Sequence, residues 1–132
     1  MIFVDTSAII AILAAEPEAA MFAAKIQAER DRISGAHVVL EASMRLATIS
    51  GATPITAEGQ IMRAFRDGNI AVMPITEDIA HIAVTAFERY GKGRDKAGLN
   101  FGDCLTYACA KAHGARLLFK GDDFTHTDIV RA

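Results

Sequence analysis

Ile2-Phe3-Val4 runs straight into Asp5-Thr6-Ser7. Three bulky apolar residues in a row, with no alternating polar partner, are what a strand covered on both faces requires. An acid and two hydroxyls cannot continue such a strand. The stretch therefore reads as a short buried strand that delivers a carboxylate to its carboxyl end, with Thr6 or Ser7 capping the apolar helix that begins at Ala8. In open α/β sheets that rim is where ligands bind. An acid there also has a plain use as a helix cap, so the positions of the other acids decide between the two.

A chain of 132 residues makes one domain, residues 1–132, able to bury roughly 65 to 70% of its unfolded surface. Its 52% hydrophobic content leaves much apolar surface to hide, part of it in an oligomer interface. A net charge of −2 excludes a protein that grips nucleic acid by a broad basic face. A carboxylate site that recruits divalent cations escapes the exclusion, because the metals supply the positive charge facing a phosphate. Cys104 and Cys109 share one helical segment at a spacing that fits neither a bridge nor a zinc knuckle, so both read as reduced core residues. The first apolar run has no basic lead, and Ala8–Ala15 is too short for a membrane span. The expectation is a cytoplasmic protein.

Ala8 to Ala15 is apolar on every face, as in a helix buried on several sides, and Glu16-Pro17-Glu18 marks a restart that runs to about Glu29. A short strand follows at Asp31–Ser34, then a helix from Ser34 or Gly35 to Ser50-Gly51, and another from Pro54 with Ile61, Met62 and Phe65 inward. Ile70–Ile75 reads as a second strand covered on both faces. Thr76 caps a helix with the stripe Ile79, Ile82, Ala83, Ala86, Phe87 and Tyr90. A polar loop, 91–98, leads to Asn100, which caps a helix with Phe101, Cys104, Leu105, Ala108, Cys109 and Ala112 inward. Arg116–Phe119 is the last strand, closed by Lys120-Gly121-Asp122-Asp123. Strands alternating with helices point to a parallel sheet in an α/β sandwich.

Four acids share one address, just after a strand or early in a helix: Asp5, Glu41, Asp103 and Asp122. Parallel strands point one way, so these positions converge on one end of the sheet. Gathered carboxylates repel unless cations lie among them, and an all-oxygen set suits Mg²⁺ or Mn²⁺ rather than zinc. Two such ions about 3.5 to 4 Å apart would serve phosphodiester hydrolysis by activating water and stabilising the leaving oxygen. Singly, each acid has a structural reading. Glu41 pairs with Arg45 one turn on, Asp103 completes a capping box with Asn100, and Asp122 and Asp123 are turn residues. Four such coincidences at one rim are harder to accept than one site.

Ile2-Phe3-Val4-Asp5-Thr6-Ser7-Ala8, Glu41 within His37-Val38-Val39-Leu40-Glu41-Ala42, Leu99-Asn100-Phe101-Gly102-Asp103-Cys104 and Phe119-Lys120-Gly121-Asp122-Asp123-Phe124 together resemble a PIN-domain ribonuclease. Within that fold the chain is similar to the VapC toxins of type II toxin-antitoxin systems, over nearly its whole length and with the motifs in order. The resemblance implies a three-layer α/β/α sandwich around a parallel sheet of four to five strands. It also implies Mg²⁺- or Mn²⁺-dependent endoribonuclease activity, a homodimer, and a small cognate antitoxin of the VapB kind over the active-site groove. Asp5 and Asp103 match the family's two central metal ligands, and Glu41 the acid that completes the first site. Asp122 matches the fourth acid, with Asp123 as the alternative. Thr6 or Ser7 would orient Asp5 by a hydrogen bond.

Lys92, Arg94 and Lys96, on the loop before Asn100, are placed to steer an RNA backbone toward the acids, and Lys120 has similar standing. His37, His81, His113 and His126 show no zinc spacing. His37 lies one turn before Glu41, within reach of the site, although such a residue is more often a helix-surface partner. Two rivals remain: a PIN-like interaction module without catalysis, which the full set of acids disfavours, and a receiver-like phosphoacceptor domain. The second wants paired acids after the first strand and another after the third, where this chain has Asp5 alone and Pro74-Ile75-Thr76.

Overall fold

A computed structural model describes all of residues 1–132. Four strands, β1 (Ile2–Val4), β2 (Arg32–Gly35), β3 (Ala71–Met73) and β4 (Arg116–Leu118), form one sheet in the order β3-β2-β1-β4. All three pairings are parallel: Phe3 lies opposite Ile33 on one side and Leu117 on the other, and Ile33 opposite Ala71. Six helices cover it: α1 (Thr6–Leu13), α2 (Ala19–Ala28), α3 (Ala36–Ser50), α4 (Pro54–Asp67), α5 (Glu77–Tyr90) and α6 (Phe101–Ala112).

β1 sits between β2 and β4, so its apolar triplet has no solvent side, and Ile2, Phe3 and Val4 are all buried. After β1 the chain steps outward to β2 and β3, then returns past β1 to place β4 on the other side. The carboxyl end of β1 is thus the point where strand order reverses, where α/β sheets keep their crevice. Asp5 stands at that point.

Helix boundaries follow local chemistry. Thr53 and Thr76 each accept the backbone N–H three residues on, capping α4 and α5. Gly51 closes α3 at φ 73°, a left-handed conformation that glycine adopts without cost. Three expectations change. Asp5, rather than Thr6 or Ser7, caps α1, because its carboxylate and not a hydroxyl reaches the Ser7 N–H. β3 is an edge strand with Ala71 exposed, not one covered on both faces. Phe101 is 85% exposed and Ala112 is exposed, because both lie at ends of α6 that overhang the packed face.

A single cluster of 32 buried residues fills the interior. The carboxy-terminal segment is tied on by polar contacts. The Tyr107 hydroxyl donates to Asp128 at 2.6 Å, Lys111 pairs with the same carboxylate, and the Arg131 guanidinium lies 4.1 Å over the Phe119 ring.

Two measurements check this account. Leu117→Ala removes a fully buried side chain from the β1 flank and should cost about 2 to 5 kcal/mol in urea denaturation. The hydrogen bond from Tyr107, then the contacts from Lys111, hold the Asp128 carboxyl below its ordinary value of 3.8. A lowered acid stabilises the fold above its unfolded value and loses that contribution as pH falls through its folded one. Tyr107→Phe should therefore cost about 1 kcal/mol at neutral pH, and the gap from the parent should close as the pH drops below 3.8.

Candidate active site

Asp5 is 7% exposed and its carboxylate is held from within by three hydrogen bonds. Oδ2 accepts the Ser7 N–H at 3.0 Å and the Ser7 hydroxyl at 2.6 Å, and Oδ1 accepts the Thr106 hydroxyl at 3.1 Å. Ser7 Oγ in turn accepts the Lys120 backbone N–H at 2.9 Å, joining the strand-to-helix turn after β1 to the loop after β4. Of the two hydroxyls expected to orient Asp5, Ser7 does so. The Thr6 hydroxyl is buried and meets no partner.

Asp103 enters from α6. Its backbone N–H donates to Asn100 Oδ1 at 2.9 Å, and its Oδ2 accepts the Asn100 N–H at 3.1 Å, the reciprocal pair of a capping box. The capping role and the site role thus fall on one residue. Burial pushes the Asp103 carboxyl up to about 6, and the negative charges of Asp123, Asp5 and Glu41 add to the rise against the Asn100 hydrogen bond.

Glu41 reaches the same place from α3, which packs against α6. Its carboxylate lies over Gly102, so closely that a β-carbon there would collide with Oε2. Gly102 is therefore glycine for a packing reason, and Glu41 faces Asp103's end of α6 instead of forming the surface pair with Arg45 that its spacing allowed. Asp122 and Asp123 are both exposed on the loop after β4. The charge of Asp123 acts on Asp103, and the Asp122 carbonyl closes a turn by accepting the Thr125 N–H.

The cations behave differently from expectation. The Lys120 ammonium is held by Glu16 and Glu18 at the α1–α2 turn, so its contribution to the site is its backbone N–H. Lys92 lines an apolar groove between α5 and α6, and Arg94 folds back to the Glu88 carbonyl. His37 is no helix-surface partner: its ring is half-buried beside Phe3 and its Nε2 lies 2.9 Å from Thr106 Oγ1. Thr106 was missed in the sequence. Its signal was there, a hydroxyl three residues after Asp103 among apolar neighbours, hence on the same helix face.

Asp5, Glu41 and Asp103, with Asp122 or Asp123, would make an all-oxygen donor set, which suits a hard divalent ion. No three of them already close on one point, so an ion would draw them inward against their repulsion. A cation there would also offset the crowding that raises Asp103.

Residues 2–130 match the PIN domain family. Ribonuclease VapC30 of Mycobacterium tuberculosis is 39% identical over 127 residues, covering 96% of this chain and 95% of its own. Ribonuclease VapC of Mycolicibacterium smegmatis is 37% identical over the same length, covering 96% of each. Among solved structures, Mycobacterium tuberculosis VapC20, described as a sarcin-ricin loop cleaving toxin, superposes with a TM-score of 0.79 at 19% identity over 100% of this chain and 98% of that one. A toxin-antitoxin complex from Klebsiella pneumoniae gives 0.74 at 19% identity, over 100% and 97%. With its parallel sheet, its family match over residues 2–130 and relatives of this closeness along nearly its full length, the chain belongs to the PIN-domain family, among the VapC ribonucleases.

Proposed function

We propose that this chain is the toxin of a type II toxin-antitoxin pair, an endoribonuclease that hydrolyses RNA phosphodiester bonds at the carboxylate cup. The observation that carries the reading is that Asp5, Glu41 and Asp123, from three other segments, lie near enough for their charges to act on Asp103 beside the reversal point of the sheet. Asp5, Asp103 and Glu41 would hold Mg²⁺ or Mn²⁺, with Asp123 completing the set. When bound, such an ion neutralises charge at the scissile phosphate and makes water a stronger nucleophile at neutral pH.

The chain's own part is positioning. Three donors fix the Asp5 carboxylate and leave part of its acceptor capacity unused. The capping box leaves Asp103 Oδ1 free while Oδ2 is tied to the helix start. Gly102 admits Glu41 at close range. The Lys120 ammonium is committed to Glu16 and Glu18, so its part in the site is the backbone N–H that supports Ser7. Such an enzyme works in the cytoplasm, where RNA is, and no helix here is long and apolar enough to cross a membrane.

Two partners belong to the reading. One is a second copy of this chain. Phe101 projects beside an apolar hollow lined by Val84, Phe87, Leu99 and Leu105, so one face carries both a knob and a hole. That is the condition for a two-fold interface in which each copy fills the other. The other is a small VapB-like antitoxin that blocks the cup, consistent with the likeness to a solved toxin-antitoxin complex. The rival reading as a bare interaction module would leave the raised Asp103 and the acids around it without a use.

Three outcomes are expected. Asp5→Asn and Asp103→Asn should each lower Mg²⁺-dependent cleavage of total RNA by roughly 100-fold or more, as the loss of several kcal/mol of charge stabilisation demands. Circular dichroism should show the fold intact, and chelation by EDTA should abolish cleavage in the parent. Retained cleavage by Asp5→Asn at saturating Mg²⁺ would sink the assignment. Asp123→Ala should cost more activity than Asp122→Ala in the same assay. Phe101→Asp should turn a dimer into a monomer in sedimentation analysis.

A further inference from the structure

We propose that His37 is a positioning residue that holds Asp5 through Thr106, an inference that rests on the ribonuclease reading for its catalytic consequence but not for its geometry. Asp5 Oδ1 accepts the Thr106 hydroxyl at 3.1 Å. A hydroxyl has one proton, so the contact between Thr106 Oγ1 and His37 Nε2, at 2.9 Å, requires the imidazole to be the donor. The ring therefore carries its proton on Nε2. The opposite nitrogen, Nδ1, is buried with no hydrogen-bond partner. A proton there would be a buried donor left unsatisfied, which costs more than an unused lone pair. Burial alone lowers His37 to about 4, in keeping with a neutral ring.

The surroundings are shaped to this ring. Phe3 stacks on it with ring centroids 6.2 Å apart and planes 19° from parallel. On another side, a β-carbon on Gly35 would lie 2.5 Å from Cε1 and 2.6 Å from Nδ1, so the bare backbone of Gly35 makes the room. A histidine that merely filled space would not need its Nε2 aimed at a hydroxyl that is itself aimed at a carboxylate. The series runs imidazole N–H to hydroxyl to carboxylate, and every link donates toward Asp5. Thr106 alone could rotate its proton elsewhere; with His37 donating to its oxygen, its own hydrogen is left for Asp5. The relay thus fixes which lone pairs of Oδ1 remain for a cation.

The test uses the full-length chain. A long-range ¹H–¹⁵N spectrum of the cation-free protein, with the His37 signals assigned by their loss in His37→Gln, should show the Nε2-protonated tautomer. Thr106→Val, which keeps the shape and loses the hydroxyl, should weaken Mn²⁺ binding by calorimetry and lower kcat by about tenfold each, with KM for RNA within about twofold. Thr106→Ser should restore both. His37→Gln keeps an N–H donor at similar reach and should stay within about threefold of the parent, while His37→Phe should fall with Thr106→Val. An Nδ1-protonated tautomer overturns the relay, as does a Thr106→Val protein equal to the parent in Mn²⁺ affinity and kcat, or a Thr106→Ser protein no better than Thr106→Val. If the parent binds Mn²⁺ but cuts no RNA, the ribonuclease reading fails, and the tautomer and the Mn²⁺ affinities still decide the relay.

Discussion

The carboxylate of Asp5 is the fixed point of this molecule. It caps α1, ends the central strand and receives hydrogen bonds from Ser7 and from Thr106, a hundred residues further along. A buried carboxylate left without such donors would be expensive or would protonate. Supplying them obliges α6 to pass within hydrogen-bonding distance of the carboxyl end of β1, and through Ser7 it also obliges the loop after β4 to close over the same place. The site and the sheet's reversal point therefore coincide because one charge has to be solvated from both sides.

Around that point the same residues serve stability and chemistry together. Asp103 ends a capping box and stands among the acids, and the bare backbone at Gly102 lets the Glu41 carboxylate lie close against α6. The ion pairs of Lys120 with Glu16 and Glu18 brace the β4 loop against the α1–α2 turn and so steady the peptide whose N–H supports Ser7. These exposed pairs contribute little to global stability; what they do is restrict where a loop can stand.

Much of this was legible in the sequence. The buried strand, the restart near Pro17, the Thr76 cap and the Asn100–Asp103 box are local signals, and each appears where local chemistry puts it. The order of acids and strands pointed to one rim. What the sequence could not disclose depended on tertiary direction. Adjacent aspartates at 122 and 123 look alike in the sequence, and only the folded chain shows the charge of Asp123 acting on Asp103. Lys120 looked like a cation free for RNA because its partners, Glu16 and Glu18, lie more than a hundred positions away. Periodicity put Phe101 inward, but the pattern is blind to where a helix outruns the layer beneath it. His37 looked like a surface neighbour of Glu41, and it was Gly35 and Thr106, unremarkable in sequence, that made its place.

Strand order has one more consequence, for the time course of synthesis. β1 emerges from the ribosome first, yet its neighbour β4 comprises residues 116–118 of 132, and the fourth acid follows at 123. A nascent chain lacking its last few dozen residues has neither the second flank of its middle strand nor the Thr106 donor for Asp5, so the carboxylates stay scattered on an open, poorly packed intermediate. The acids are thereby kept apart until β4 and the loop after it have been made, long after the first of them has left the ribosome.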